Sequence, residues 1–295
     1  MTIAVVGAGA IGATFAAQLW KSGQRELLFC VRRPVASWSV ETGAGAIVMT
    51  PGVAVDAASV RPVDFVLLAT KAHQTPGAAA WLRALAGPQT CVAVLQNGID
   101  HTERVRPYIH GGASLVPAVV QCPAEQLELG RIVQRGPAGL VLPDTPDARR
   151  FGALFAQSDA TMEHRQDFQT ALWEKLCWNL VGALMAITCE PLGVMRAPDL
   201  ADLARGLLHE AVAVARADGA TLADDFADDV VTKYQSADPT RGTSILYDRR
   251  AGRPLEYEAR NEVVVVRGAR HGIAVPLNAA IVALLRAISD GAAGA

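Results

Sequence analysis

Gly7-Ala8-Gly9-Ala10-Ile11-Gly12 stands directly after a β-branched run at residues 2–6 and directly before an amphipathic stretch at 13–22. A second apolar run follows at 27–31. Strand, glycine turn, helix, strand is one βαβ unit, and few architectures open this way. In such a unit the first glycine permits the tight turn, the second lets the backbone approach a pyrophosphate, and the third lets helix and strand pack closely. The free N–H groups and dipole of the helix N-terminus then favour phosphate. A lone G-x-G-x-x-G is a weak signal; its place between strand and helix gives it weight. Gly7, Gly9, Ala10, Ile11 and Gly12 are therefore expected to line a dinucleotide site.

Further along, residues 64–69 read as a buried strand, 73–86 as a helix, and 90–95 as another strand closed by the Gln96-Asn97-Gly98 turn. Continuous apolar strands alternating with helices argue for a parallel sheet covered on both faces. Between 115 and 142 the texture changes. Segments 115–121, 127–134 and 139–142 look like strands separated by Pro and Gly, with no long helix between them, so an antiparallel extension of the sheet is expected. Residues 146–157 read as the last helix of this half. Beyond about 167 strand signals nearly vanish, and 168–189, 200–218, 222–235, 255–271 and 278–289 read as helices. Gly272 sits where a left-handed C-cap is needed, and Pro254 suits the first turn of its helix. The Val263-Val264-Val265-Val266 run disfavours helix locally, but helix formers flank it and no turn residue isolates it. The expected fold class is α/β plus all-α: an N-terminal Rossmann-type dinucleotide-binding domain with an antiparallel extension over 1–166, then an all-helical substrate and catalytic domain over 167–295.

Composition excludes several classes. The chain has 295 residues, 51% hydrophobic, which is ample for one large or two medium cores. A formal charge of −2 implies no strongly basic face, so nucleic acid is not an expected partner. Five cysteines without a C-x-x-C suit a reducing cytoplasm, and no H-E-x-x-H or Cys/His cluster points to a metal. The longest apolar stretch, 176–188, contains Asn179 and is shorter than the roughly 18–20 residues of a membrane span. The N-terminus lacks the basic start of a secretory signal. A cytoplasmic protein is expected. Asp224, Asp225, Asp228 and Asp229 form an acidic face that reads as solvated rather than ion-binding.

The second strand ends in Cys30-Val31-Arg32-Arg33, where an NAD enzyme usually offers an acid to the ribose 2′-hydroxyl. Glu26 lies at the wrong end of that strand. An arginine fork there pairs with a 2′-phosphate, so NADPH/NADP+ is the expected cofactor, with Arg32 the first choice and Arg33 the second. In the second half, Lys175 and Asn179 are four apart and share one face of a strongly apolar helix. Trp173, Leu176, Leu180 and Leu184 fall on a packing face. A lysine in such a helix either reaches solvent or serves a function.

The chain resembles the ketopantoate reductases (2-dehydropantoate 2-reductases) over nearly its whole length. The resemblance rests on the glycine run, Lys71 after a strand, Gln96-Asn97-Gly98, Trp173-x-Lys175-Leu176-x-x-Asn179, Thr243-Ser244-Ile245-Leu246-x-Asp248, Glu256, and His271-Gly272-Ile273-Ala274-x-Pro276. It implies NADPH-dependent reduction of a 2-oxo acid, foremost ketopantoate to pantoate on the way to pantothenate and coenzyme A. It further implies Lys175 as general acid, and Glu256 as a second catalytic residue that holds substrate or lysine and also borders the cofactor. Lys71 would sit near the nicotinamide ribose, and Asn97 would bridge cofactor and substrate. Ser244 would donate to the substrate carboxylate, and Asn179 would bind the distal hydroxyl.

Two positions depart from the family pattern. Ala183, preceded by Gly182, and Arg241 stand where the family carries asparagines that recognise the 4-hydroxyl. A different 2-oxo acid is the alternative substrate, and a non-catalytic NADPH-binding module the alternative class. Read without the resemblance, Glu256 is an exposed i,i+4 partner of Arg260 and Ser244 a helix N-cap. The apolar helices of the second half suit either a homodimer interface or their own core.

Overall fold

The computed structural model describes residues 1–109 and 111–293. The chain falls into two compact units, Met1–Phe168 and Gln169–Ala295.

In the first unit, β1 (Ile3–Val6) leads through the glycine turn into α1 (Ala10–Lys21) and then β2 (Leu27–Cys30). The order continues with β3 (Trp38–Thr42), β4 (Gly45–Met49), β5 (Gly52–Ala54), β6 (Phe65–Leu68), α2 (Ala79–Leu85), β7 (Cys91–Val94), α3 (His101–Val105) and β8 (Ser114–Pro117). A six-stranded sheet runs β5-β2-β1-β6-β7-β8, every neighbouring pair parallel. Its strands are apolar throughout because both faces are covered. Ile3 and Val5 point into one core with Phe15 and Leu19 of α1, while Ala4 and Val6 point into another with Leu82 and Leu85 of α2 and Val105 of α3.

β9 (Val119–Gln121), β10 (Ala124–Glu128), β11 (Arg131–Gln134), β12 (Gly139–Pro143), α4 (Pro146–Gly152) and β13 (Thr161–Arg165) complete this unit. They correct the expected extension. The 115–121 segment is two strands meeting at Ala118: β8 is a parallel edge of the main sheet, while β9 joins a separate sheet ordered β13-β12-β9. The β10–β11 hairpin joins the β3–β4 hairpin in a third sheet, ordered β10-β11-β3-β4. Trp38, Val40, Met49 and Ile132 of that sheet are buried in the same core as α1. The expected helix at 73–86 is also corrected: two 3-10 turns, Ala72–Gln74 and Pro76–Ala78, precede α2. Pro76 lacks the N–H that an uninterrupted helix would need there. Helix 146–157 ends at Gly152 and closes with a 3-10 turn, Ala153–Phe155.

The second unit is helical: α5 (Phe168–Thr188), α6 (Pro198–Ala217), α7 (Phe226–Ser236), α8 (Ser244–Arg250), α9 (Val263–His271) and α10 (Pro276–Ala293). On α5, Trp173, Leu176, Leu180 and Leu184 are buried, as the spacing predicts. α7 starts later than the expected residue 222, because the Leu222 carbonyl accepts from the Arg216 guanidinium at 3.2 and 2.8 Å. α8 is not among the expected helix spans, although the N-cap reading of Ser244 implies a helix there. Pro254 is not in a first turn; residues 253–257 are non-helical, tied down by Leu255 N–H donating to Ser289 Oγ at 3.0 Å. Helix resumes as one wide π turn, Glu258–Glu262, which runs into α9. The valine run lies within α9, and Gly272 caps it at φ 68°. Among the described residues no helix is long and apolar enough to cross a membrane.

Candidate active site

The glycine turn is shaped by close approach. A Cβ on Gly12 would lie 2.0 Å from Gly7 O, and Gly7 itself has φ +97° with its Cβ position 2.7 Å from Thr70 N. Gly9 differs: a Cβ there would meet nothing nearer than Gln126 Oε1 at 3.5 Å, so packing within the protein does not demand a glycine. Gly9 is the N-cap of α1, with no side-chain capping bond and no acid in the first turn. The N–H groups next to Ala10 and Ile11 are thus open to an anion. Strand order reverses at β1, with β2 on one side and β6 on the other, the place where doubly wound sheets bind ligands. The cradle fits a pyrophosphate.

Arg32 and Arg33 are exposed just past the carboxyl end of β2, and among the described residues neither pairs with a carboxylate. Glu26 lies at the other end of β2 and binds the Met1 amino group at 3.0 Å. Lys71 follows β6 and Asn97 follows β7; both are half-buried. Their loops are tied together by Gln96, whose Nε2 donates to Thr70 Oγ1 and Thr75 Oγ1, each at 3.0 Å. Arg104 donates to Gln96 Oε1 at 3.0 Å and to the Asn97 carbonyl at 3.1 Å, and it pairs with Asp100. Burial would raise the Asp100 carboxyl, but Arg104 outweighs it and holds it below its usual value. His101 Nε2 lies 2.8 Å from Gln96 O, and burial, aided by Arg104, pushes the imidazole down to about 4. The first unit thus gathers the glycine turn, Lys71 and Asn97 at the carboxyl edges of three adjacent strands. A surface cavity of about 350 Å³ among Thr2, Leu28, Val53, Ser59 and Arg61 opens at the opposite, amino edge.

In the second unit, Lys175 and Asn179 are half-buried on α5 one turn apart, and Ala183 on the same face is fully buried. Ser244 is the first residue of α8, with Thr243 in the N-cap position, so Ser244 itself is not the cap. Asn179 and Ser244 are joined by a residue not placed in the site from sequence: Arg260 donates from Nη1 to the Asn179 carbonyl at 3.2 Å and from Nη2 to Ser244 Oγ at 2.9 Å. Glu256 and Arg260 are both buried, 3% and 2% exposed, which overturns the exposed i,i+4 pair. Tyr234 donates to the Trp178 carbonyl at 2.7 Å; burial pushes its phenol up to about 12, with Arg260 and Arg241 pulling the other way. Trp173 is fully buried and donates to Asp218 at 3.1 Å, and Trp178 packs on Tyr234 at 5.3 Å. Asp224 and Asp228 of the acidic face pair with Arg216 and Arg205.

From sequence, Gln96 is read only as a turn residue and Arg260 only as a surface partner of Glu256, while His101 and Arg104 are not singled out. Gln96, His101 and Arg104 lie within eight residues of Asn97 and carried a local signal, since a polar cluster around a strand-end turn must satisfy itself. Arg260 carried none, because its partners lie 16 and 81 residues away.

The chain matches the family model described as ketopantoate reductase PanE/ApbA over residues 3–147, and the corresponding C-terminal model over 167–289. It is 45% identical over 288 residues to the 2-dehydropantoate 2-reductase of Caulobacter vibrioides, covering 97% of this chain and 98% of that one. It is 43% identical over 291 residues to that of Mycobacterium tuberculosis, covering 98% of each. Among solved structures, the PanE/ApbA family ketopantoate reductase of Ralstonia eutropha superposes with TM-score 0.90 at 29% identity, over 99% of this chain and 100% of that one. The dimeric ketopantoate reductase of Staphylococcus aureus gives 0.89 at 25%, with the same coverage.

Proposed function

The chain belongs to the ketopantoate reductase family of oxidoreductases, and from that premise we propose that it reduces ketopantoate to pantoate with NADPH, a step toward pantothenate and coenzyme A. The observation that carries the reading is the Lys175–Asn179 stripe: two half-buried polar side chains one turn apart on a helix whose Trp173, Leu176, Leu180 and Leu184 are buried in core. When bound, NADPH supplies a hydride. The glycine turn and the N-terminus of α1 hold its pyrophosphate, Arg32 its 2′-phosphate, and Lys71 the ribose on the nicotinamide side.

The Lys175 ammonium donates a hydrogen bond to the 2-oxo oxygen, stabilises the charge that develops there, and hands its proton to that oxygen. Glu256 is 3% exposed, the burial that suits a residue positioning the lysine or substrate. Asn97, held through its carbonyl by Arg104, orients the substrate from the cofactor side. Ser244 donates to the carboxylate and Asn179 to the distal hydroxyl. We also read the chain as a homodimer, on the strength of the dimeric Staphylococcus aureus relative, and as cytoplasmic, on its unpatterned cysteines; sedimentation velocity checks the dimer.

The test is a steady-state assay of NADPH oxidation with ketopantoate. Lys175→Ala should lower turnover by about 10²–10⁴-fold while leaving NADPH binding intact. Near-wild-type turnover in that variant would remove the lysine from its role. One observation favours a second reading, a different 2-oxo acid: Ala183 is fully buried and apolar, and offers no donor to a 4-hydroxyl. A panel of 2-oxo acids with and without that hydroxyl separates the two, and a site built to bind it should discriminate steeply.

A further inference from the structure

We propose that Arg260 is the positioning residue of the substrate-carboxylate subsite, holding Ser244 Oγ as an acceptor so that the hydroxyl proton turns toward the carboxylate of the 2-oxo acid. The inference deepens the reductase reading and rests on it.

Arg260 is 2% exposed, and among the described residues no carboxylate pairs with it. A buried cation without a counter-charge is costly, and chains rarely keep one that an anion does not visit. Its fork is directed by local structure. The π turn Glu258–Glu262, closed by Glu262 N–H on the Tyr257 carbonyl at 3.1 Å, turns three successive residues inward: Ala259, Arg260 and Asn261 are all buried. Gly182 of α5 faces the guanidinium and Thr243: a Cβ there would sit in van der Waals contact with Arg260 Nη1 at 3.6 Å and Thr243 Oγ1 at 3.5 Å.

The hydrogen bonds leave defined capacity unused. A serine hydroxyl has one proton and two lone pairs. Ser244 Oγ accepts from Arg260 Nη2 at 2.9 Å, and among the described residues its own proton goes to no acceptor. Ser244 is exposed, so that proton is presented outward. Thr243 Oγ1 and Arg260 Nε are buried without hydrogen-bond partners. A donor hydroxyl polarised by a buried guanidinium, with a second hydroxyl beside it, suits an anion with two oxygens.

The experiment measures ketopantoate and its neutral carboxamide as substrates, with NADPH affinity followed by fluorescence, in wild type, Arg260→Gln, Arg260→Lys, Ser244→Ala and the Arg260→Gln/Ser244→Ala pair. Arg260→Gln should raise KM for ketopantoate roughly 100-fold while kcat and NADPH affinity change much less. Arg260→Lys should recover a large part of that loss. The wild-type preference for carboxylate over carboxamide should collapse in Arg260→Gln, and Ser244→Ala should cost little more in that background. An unchanged KM, a retained carboxylate preference, or fully additive effects of the two substitutions would overturn the proposal. If Arg260→Gln does not fold, Arg260→Met taken through the same cycle with Ser244→Ala decides it by the same criteria. Wild type that oxidises NADPH with no 2-oxo acid is a different result and sinks the reductase reading instead.

Discussion

Arg32 and Glu26 stand at opposite ends of one four-residue strand, and their chemistry follows from that placement. Glu26 is occupied by the terminal amine at 3.0 Å, at the end of the strand away from the glycine turn. Arg32 is exposed at the end where a ribose would lie, and among the described residues no carboxylate competes for its fork. A 2′-phosphate offers that fork a bidentate, charge-assisted contact, whereas a 2′-hydroxyl offers a single neutral one. Arg32→Ala should therefore raise KM for NADPH about 10- to 100-fold and leave that for NADH nearly unchanged. Steady-state kinetics with both cofactors checks it. An equal loss for both, or a wild-type preference for NADH, removes the 2′-phosphate from Arg32.

At the scale of elements, the Asn97 loop shows how a site turn is held rigid. His101 Nε2 faces Gln96 O at 2.8 Å, while its Nδ1 is buried with no partner. A second proton would have to sit on Nδ1, where nothing accepts it, and Arg104 adds repulsion; hence the depressed value of about 4. The sign follows directly. Between about 4 and the ordinary 6.5 the unfolded chain binds a proton that the folded chain does not, so stability falls as pH drops through that window, by on the order of 3 kcal/mol at most. Urea midpoints from pH 7 to pH 4 should fall more steeply for wild type than for His101→Gln, and equal slopes would refute the assignment. The elements around this loop differ in how visible they are in sequence. β1, β6 and β7 are buried on both faces and stand out as unbroken apolar runs, as does the glycine turn between β1 and α1. β3 is hard to read although Trp38 and Val40 alternate with Ser39 and Glu41, because period-two alternation over five residues is short; it pairs locally with β4 and, about 90 residues on, with β11. β13, Thr-Met-Glu-His-Arg, offers one apolar residue, Met162, which packs partly buried against the core while the strand pairs in parallel with β12, too little for a sequence signal. Site residues follow the same rule. Those fixed by local turns were legible, while Arg260, recruited through a π turn and contacts far along the chain, was not.

For the whole molecule, the division into two units separates what the cofactor should stabilise from what it need not. The first unit holds two cores on either face of the parallel sheet, and both reach β1, β6 and β7. A ligand held by the turn after β1 binds only when that sheet is formed, so it must protect the sheet by mass action. At NADPH about 100 times its dissociation constant the gain is about 2.7 kcal/mol, which corresponds to roughly 100-fold slower exchange for amides that open only by global unfolding. Hydrogen exchange should register this at Val5, Leu67 and Ala93, whose side chains share one core. NADH at the same concentration should protect them less, by the margin that Arg32 supplies, and Arg32→Ala should erase the difference. The amides of α6 act as the comparison. If they slow by the same factor, the two units unfold as one; if they do not, each unfolds on its own and the cofactor's effect stops at the first. Unprotected β1, β6 and β7 amides at saturating NADPH would instead take the cofactor away from the glycine turn, and the proposed hydride chemistry with it.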